Sequence, residues 1–179
     1  MKKETNIQKC FQPVVGTQPW RVKPGVGSFL TVEFGPRVKE HGHIHGQWHL
    51  WIYLSNWVLS HNGRQLVNSD TDRRVIGPAV RRLEEVPLTG VEYDSRGKKT
   101  SFLFDDFKLV VTPADYLEDA DDRDSFWMFF MPKNRVLIAG PSGLRLEKDE
   151  ASSATRPEER QEDIDIRPPK HRMFVETND

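Results

Sequence analysis

At 179 residues and 20.8 kDa, with a formal net charge of −1, the chain has room for one domain and some appended segments. The near-neutral balance excludes bulk attraction to nucleic acid or to an acidic membrane surface. The single cysteine, Cys10, excludes an internal disulfide framework and suits a reducing compartment. Hydrophobic residues make up 36% of the chain and charged residues 30%, with a mean hydropathy of −0.65, so a compact core with a polar remainder is expected. No apolar run approaches the ~20 residues of a membrane span. The opening MKKETNIQKC lacks the apolar region and small-residue cleavage site of a signal peptide, which makes the cytoplasm the expected location.

Residues 1–26 read as an irregular N-terminal segment packed on the core. FQPVVGTQPWRVKPGVG holds three prolines and three glycines, too many for a long regular element, and Trp20 is the expected anchor. A β-rich globular domain is then expected over 27–147. Its first strand is Ser28 to Phe34, ended by Gly35-Pro36.

The chain is organised around His41 to Ser60, which holds four of the six histidines and three of the five tryptophans. From Ile44 the even positions (Trp48, Leu50, Ile52, Leu54, Val58 among them) are largely apolar. The odd positions carry His43, His45, His49, Trp51, Tyr53 and Trp57. A period of two means a strand with two chemically different faces, the even one toward the core.

Asn62-Gly63 follows, a strong hairpin signal, so Gln65 to Asn68 is the expected antiparallel partner. Ser69 to Glu85 reads as a helix capped by Ser69 or Asp70, with Val75, Ile76, Ala79, Val80 and Leu83 as its buried stripe. Gly77-Pro78 predicts a kink or a later start. Arg73, Arg74, Arg81 and Arg82 read as a solvated basic face.

From Pro87 a β meander is expected. Its strands lie at Val91 to Asp94, Thr100 to Phe104, Lys108 to Thr112, Ser125 to Met131, Val136 to Ala139 and Leu144 to Leu146. Beyond Lys148 the composition turns polar, with 9 acidic against 6 basic residues over 148–179, and a flexible charged tail is expected there.

Two clusters point to chemistry. His43 and His45, two apart on a strand, have side chains roughly 6–7 Å apart and can reach one divalent metal such as zinc. A third ligand would have to come from elsewhere, for instance Asp105, Asp106 or His61, and no HExxH or CxxC motif is present. His49, Trp51, Tyr53 and Trp57 form a stripe suited to recognition, since aromatic rings supply contact area with a polar handle. Core packing is the competing explanation for the stripe. The acidic loop Asp115 to Asp124 departs from the EF-hand pattern at Arg123 and reads as solvated. Asp105-Asp106 reads as a turn former, and Cys10 has no visible activating partner.

The order HGQWHLWIY, serine-led helix, FLFDDFKLVV and FWMFFMP resembles small uncharacterised bacterial β-rich domains, some of them immunity or accessory proteins. The resemblance spans about residues 10–147 and implies a non-secreted single domain without assigned chemistry. The expected fold is α+β, a mainly antiparallel and strongly curled sheet of seven or eight strands approaching a half-barrel, with one helix near 70–85 packed on it. The expected function leans away from an enzyme. It is a binding protein without a cofactor, of the immunity type, that engages a protein partner through His49, Trp51, Tyr53 and Trp57 and touches neither nucleic acid nor membrane. The alternatives are a metal-dependent hydrolase or small-molecule binder using His43 and His45, and a structural homo-oligomer such as a dimer.

Overall fold

The computed structural model describes residues 6–40, 42–114 and 125–148. The expected acidic loop and charged tail lie outside these residues. Eleven strands form two antiparallel sheets. The six-stranded sheet has the order β1-β2-β3-β9-β10-β11, from β1 (Arg21–Pro24), β2 (Leu30–Glu40), β3 (His43–Ile52), β9 (Trp127–Met131), β10 (Arg135–Gly140) and β11 (Gly143–Lys148). The five-stranded sheet has the order β5-β4-β8-β7-β6, from β4 (Ser55–His61), β5 (Arg64–Asn68), β6 (Gly90–Asp94), β7 (Lys99–Phe104) and β8 (Phe107–Pro113). The mainly antiparallel α+β character matches the expectation; the strands are shared between two sheets, and no closed barrel forms among the described residues.

The sheets face one another across a single core. Val32, Leu50, Phe129 and Leu137 come from one, and Leu59, Phe102, Leu109 and Val111 from the other. A short helix, α1 (Ile7–Phe11), inserts Phe11 between them. Its ring stacks on Phe129 at 3.9 Å and meets Phe102 and Trp127 edge-on at 5.7 and 6.0 Å. Trp127 of β9 reaches across to donate from Nε1 to Thr100 Oγ1 of β7 at 2.7 Å, a buried bond that satisfies two polar groups at once.

The N-terminal segment therefore belongs to the fold, supplying both α1 and the edge strand β1. α2 (Arg73–Arg81) packs beside β1 and β5, burying Ile76, Gly77 and Val80. Its cap is Asp72, later than Ser69 or Asp70, because Asp72 Oδ1 accepts from Arg74 N at 2.8 Å while Asn68 holds the preceding turn. The helix runs through Pro78 and tightens to a 3₁₀ turn over Arg82–Glu85. From that turn the Glu84 carboxylate accepts the Val22 N–H of β1 at 2.7 Å, closing part of an otherwise open sheet edge.

Two local features decide which side chains face where. Gly35-Pro36 does not end β2; the register shifts between Phe34 and Arg37, and the strand resumes to Glu40. Gly35 adopts φ +70°, and a Cβ there would stand 2.7 Å from the Trp48 ring, so the bulge requires glycine. The second feature is Leu54, at φ +50°. The stretch from His41 to Ser60, read above as one strand, is broken there. β3 ends at Ile52 in one sheet and β4 begins at Ser55 in the other. Ser55 Oγ, 2.6 Å from Phe126 O and 2.9 Å from Tyr53 O, fastens the crossing. Asn62 (φ +50°) and Gly63 (φ +74°) then form the two-residue turn that their sequence predicts, with His61 opposite Arg64.

Candidate functional site

Antiparallel register places directly opposed residues on the same sheet face. On the outer side of the six-stranded sheet this aligns Arg21, Glu33, His49, Phe130, Val136 and Glu147 in one row across all six strands. The next row holds Lys23, Thr31, Trp51, Met128, Ile138 and Arg145. The inner rows are apolar core.

Glu33 is the chemical centre of the outer face. Its side chain is 1% exposed. Its Oε2 lies 3.0 Å from His49 Nδ1 and accepts from Gly46 N–H at 2.7 Å, while Oε1 accepts from the Arg21 guanidinium at 3.1 Å. Burying a carboxylate costs several kcal/mol, an amount that roughly three charge-assisted bonds can offset. Desolvation by burial pushes the Glu33 pKa up. The His49 hydrogen bond and charge, the Gly46 N–H and Arg21 together outweigh it and hold the group below the ordinary glutamate value. An ionised Glu33 in turn requires a proton on His49 Nδ1, which fixes the orientation of the imidazole.

Gly46 is essential to this arrangement. A Cβ there would stand 2.5 Å from Phe34 O and 2.7 Å from Phe34 N, so the close approach that carries its N–H to Glu33 is open only to glycine. Arg21 has a second anchor, donating to Ile44 O at 2.7 Å, and its guanidinium lies 5.0 Å from the centre of the Trp20 ring, which Arg37 also approaches, at 4.7 Å.

Around the imidazole lies a ring wall. His49 meets Trp51 edge-on at 5.2 Å, and Trp51 meets Phe130 at 5.1 Å and Phe29 at 5.5 Å. Phe29 in turn meets Tyr53 at 5.9 Å, and Tyr53 is 45% exposed. The buried Trp51 Nε1–H finds no acceptor among the described residues. On the other side His49 and His45 line a cleft of about 460 Å³ between the β2–β3 arm and the β9–β10 turn.

Of the four stripe residues, three share this face. Trp57 does not: Leu54 inverts the alternation, so in β4 the odd positions turn inward. Trp57 is 1% exposed in the core and donates from Nε1 to Ser28 O at 2.7 Å. The even face is likewise core only in part, because Leu50 and Ile52 are buried but Ile44, beyond the bulge, is 47% exposed.

His43 and His45 share a strand face, and His43 is exposed. The His45 ring is held with Nδ1 2.9 Å from Gly46 O and Nε2 3.3 Å from Glu40 Oε2. Both neighbours are acceptors, so neither nitrogen turns a lone pair toward a shared point with His43. His61, in β4, and Asp105-Asp106, in the β7–β8 turn, lie with the other sheet, where the His61 ring stacks on Phe107 at 4.3 Å. Among the described residues no group of three or more His, Cys, Asp or Glu side chains converges to hold a metal.

Glu33 does not stand out in the sequence as a site residue. The signal was present, a lone acid in the apolar strand SFLTVEF, but its partners lie on β1 and β3 and only register brings them together. Comparison with known proteins returns no matching family model, no similar curated protein and no similar solved structure. No helix among the described residues is long and apolar enough to cross a membrane.

Proposed function

We propose that the protein is a non-enzymatic binding protein whose recognition surface is the outer face of the six-stranded sheet, and that its occupant is a protein partner. The observation that carries this is the edge-to-face ring wall of Phe29, Trp51 and Tyr53, partly open to solvent and ending on Tyr53, which is 45% exposed. Interlocked rings present a rigid surface that loses little side-chain entropy on binding, and amphipathic aromatics are the usual anchors of such interfaces. The buried Glu33–His49 pair beneath holds Trp51's neighbour in one orientation. An immunity-type role, in which this face occludes a partner's site, is the form of the proposal that the sequence resemblance implies, and a cytoplasmic setting goes with it.

The test is a photo-crosslinking phenylalanine in place of Tyr53, with Lys108 on the other sheet as control site, irradiated in cells that make the protein. A discrete adduct specific to Tyr53 and lost in the Trp51→Ala background is expected. The same adducts at both sites, or adducts indifferent to Trp51→Ala, overturn the proposal. An adduct of twice the chain mass selects the homo-oligomer instead.

A further inference from the structure

We propose that the cleft between the β2–β3 arm and the β9–β10 turn binds a small amphipathic anion, a carboxylate or phosphate ester carried on a compact apolar body. The cleft, at about 460 Å³, falls within the range of roughly 300–1,000 Å³ typical of small-molecule sites. Val38, Phe130, Met131 and Pro132 provide an apolar wall beside the engaged ring of His45, and Lys39, Lys133 and Asn134 provide donors. Among the described residues two carboxylates stand near these donors, and both are engaged. Glu40 faces His45 at 3.3 Å, and Glu33 is held beneath by Arg21, Gly46 and His49. The lysines therefore leave a local excess of positive charge over an apolar wall, complementary to a molecule with one anionic end.

The turn that carries Lys133 gives an independent indication. Lys133 and Asn134 both adopt positive φ, +64° and +51°. Asparagine tolerates that region, whereas lysine is disfavoured there and glycine is not. Glycine occupies the same region at other turns of this chain, at Gly42, Gly63 and Gly143. A lysine kept in a strained position at the rim of a cleft is the pattern expected where the side chain serves binding. Lys98, at φ +50° in the β6–β7 turn, shares the strain and lines no part of this cleft, which makes it the matched control.

Calorimetric titration with phenyl phosphate, benzoate, inorganic phosphate and benzyl alcohol tests the proposal, alongside NMR of the lysine and histidine side chains. Phenyl phosphate or benzoate should bind at least tenfold tighter than benzyl alcohol and tighter than inorganic phosphate, shifting the Lys133 and His45 resonances. Which of the two binds tighter identifies the anion. Lys133→Gly should weaken binding at least fivefold at an equal or higher Tm, and Lys98→Gly should change Tm alike without touching affinity. Equal binding of benzyl alcohol, absence of binding at millimolar probe, or full affinity in Lys133→Gly overturns it. The cleft adjoins the ring wall through His49 and Phe130 but is lined by none of Phe29, Trp51 and Tyr53, so the two assignments are probed at different residues. Loss of anion binding with the Tyr53 adduct retained removes the cleft assignment alone, and the converse removes only the partner assignment.

Discussion

Replacing Glu33 with glutamine keeps the shape of the side chain and removes its charge, and it tests the electrostatic account of the outer face directly. Glu33 offers two acceptor oxygens to three donors, the Gly46 N–H, the Arg21 guanidinium and His49 Nδ1. An amide offers one oxygen and turns an NH₂ group toward at least one of those donors. Removing one member of a buried charge network costs about 3–5 kcal/mol. The retained oxygen places Glu33→Gln near the lower end, about 3 kcal/mol, or a Tm loss of about 6–12 °C at ~2–4 °C per kcal/mol for a chain of this size. The dependence on pH has a definite sign. Glu33 titrates below its ordinary value in the folded protein, so its contribution is fully present above the unfolded pKa near ~4.3. It is lost as pH falls through the lowered folded value. The other carboxylates are common to both proteins and largely cancel in the difference. Urea titrations of the native and Glu33→Gln proteins from pH 7 to pH 3 should therefore show a gap that is full at neutrality and narrows in acid. A gap that stays constant across that range, or a Tm loss under about 2 °C at pH 7, refutes the account.

Two further substitutions probe the backbone features that build the site. Gly46→Ala places a methyl group against the Phe34 backbone, which cannot move aside like a rotamer, and should cost about 1–3 kcal/mol or more. It should also raise the Glu33 carboxyl midpoint followed by ¹³C NMR, because the Gly46 N–H is one of its donors; an unmoved midpoint contradicts that role. Trp57→Phe should cost about 2–4 kcal/mol in denaturant titrations, from a buried Ser28 carbonyl left without its donor and from lost packing. Were Trp57 on the outer face beside Tyr53, the change would stay within about 0.5 kcal/mol.

Features that depend on neighbours in sequence were legible. The Asn62-Gly63 turn, the strands from Val91 onward and the helix through Val80 follow from turn chemistry and periodicity that a short window contains. What escaped depends on strain tolerated for tertiary reasons. Gly35-Pro36 carries the marks of a strand end, since proline lacks a ladder donor. It becomes a bulge because β3 continues alongside and pairs Arg37 to Glu40 with His43 to Gly46. Leu54 carries no mark at all: a bulky residue in the left-handed region is disfavoured, and nothing in HGQWHLWIYLSNWVL distinguishes it from the strand residues around it.

That single residue accounts for the largest misassignment. Because side chains alternate with a period of two, one residue leaving the extended region exchanges the faces of everything beyond it. His49, Trp51 and Tyr53 precede Leu54 and stay on the outer side, while Trp57 follows it and enters the core. The bulge does the corresponding work on the opposite strand. With the shift between Phe34 and Arg37, Gly46 is brought against Phe34 and its N–H onto Glu33. The buried carboxylate, its three donors and the ring wall thus depend on two irregularities in strands that composition marks as regular. The candidate site lies where local preference and tertiary pairing disagree, and such irregular positions persist only where the surrounding structure over-determines them.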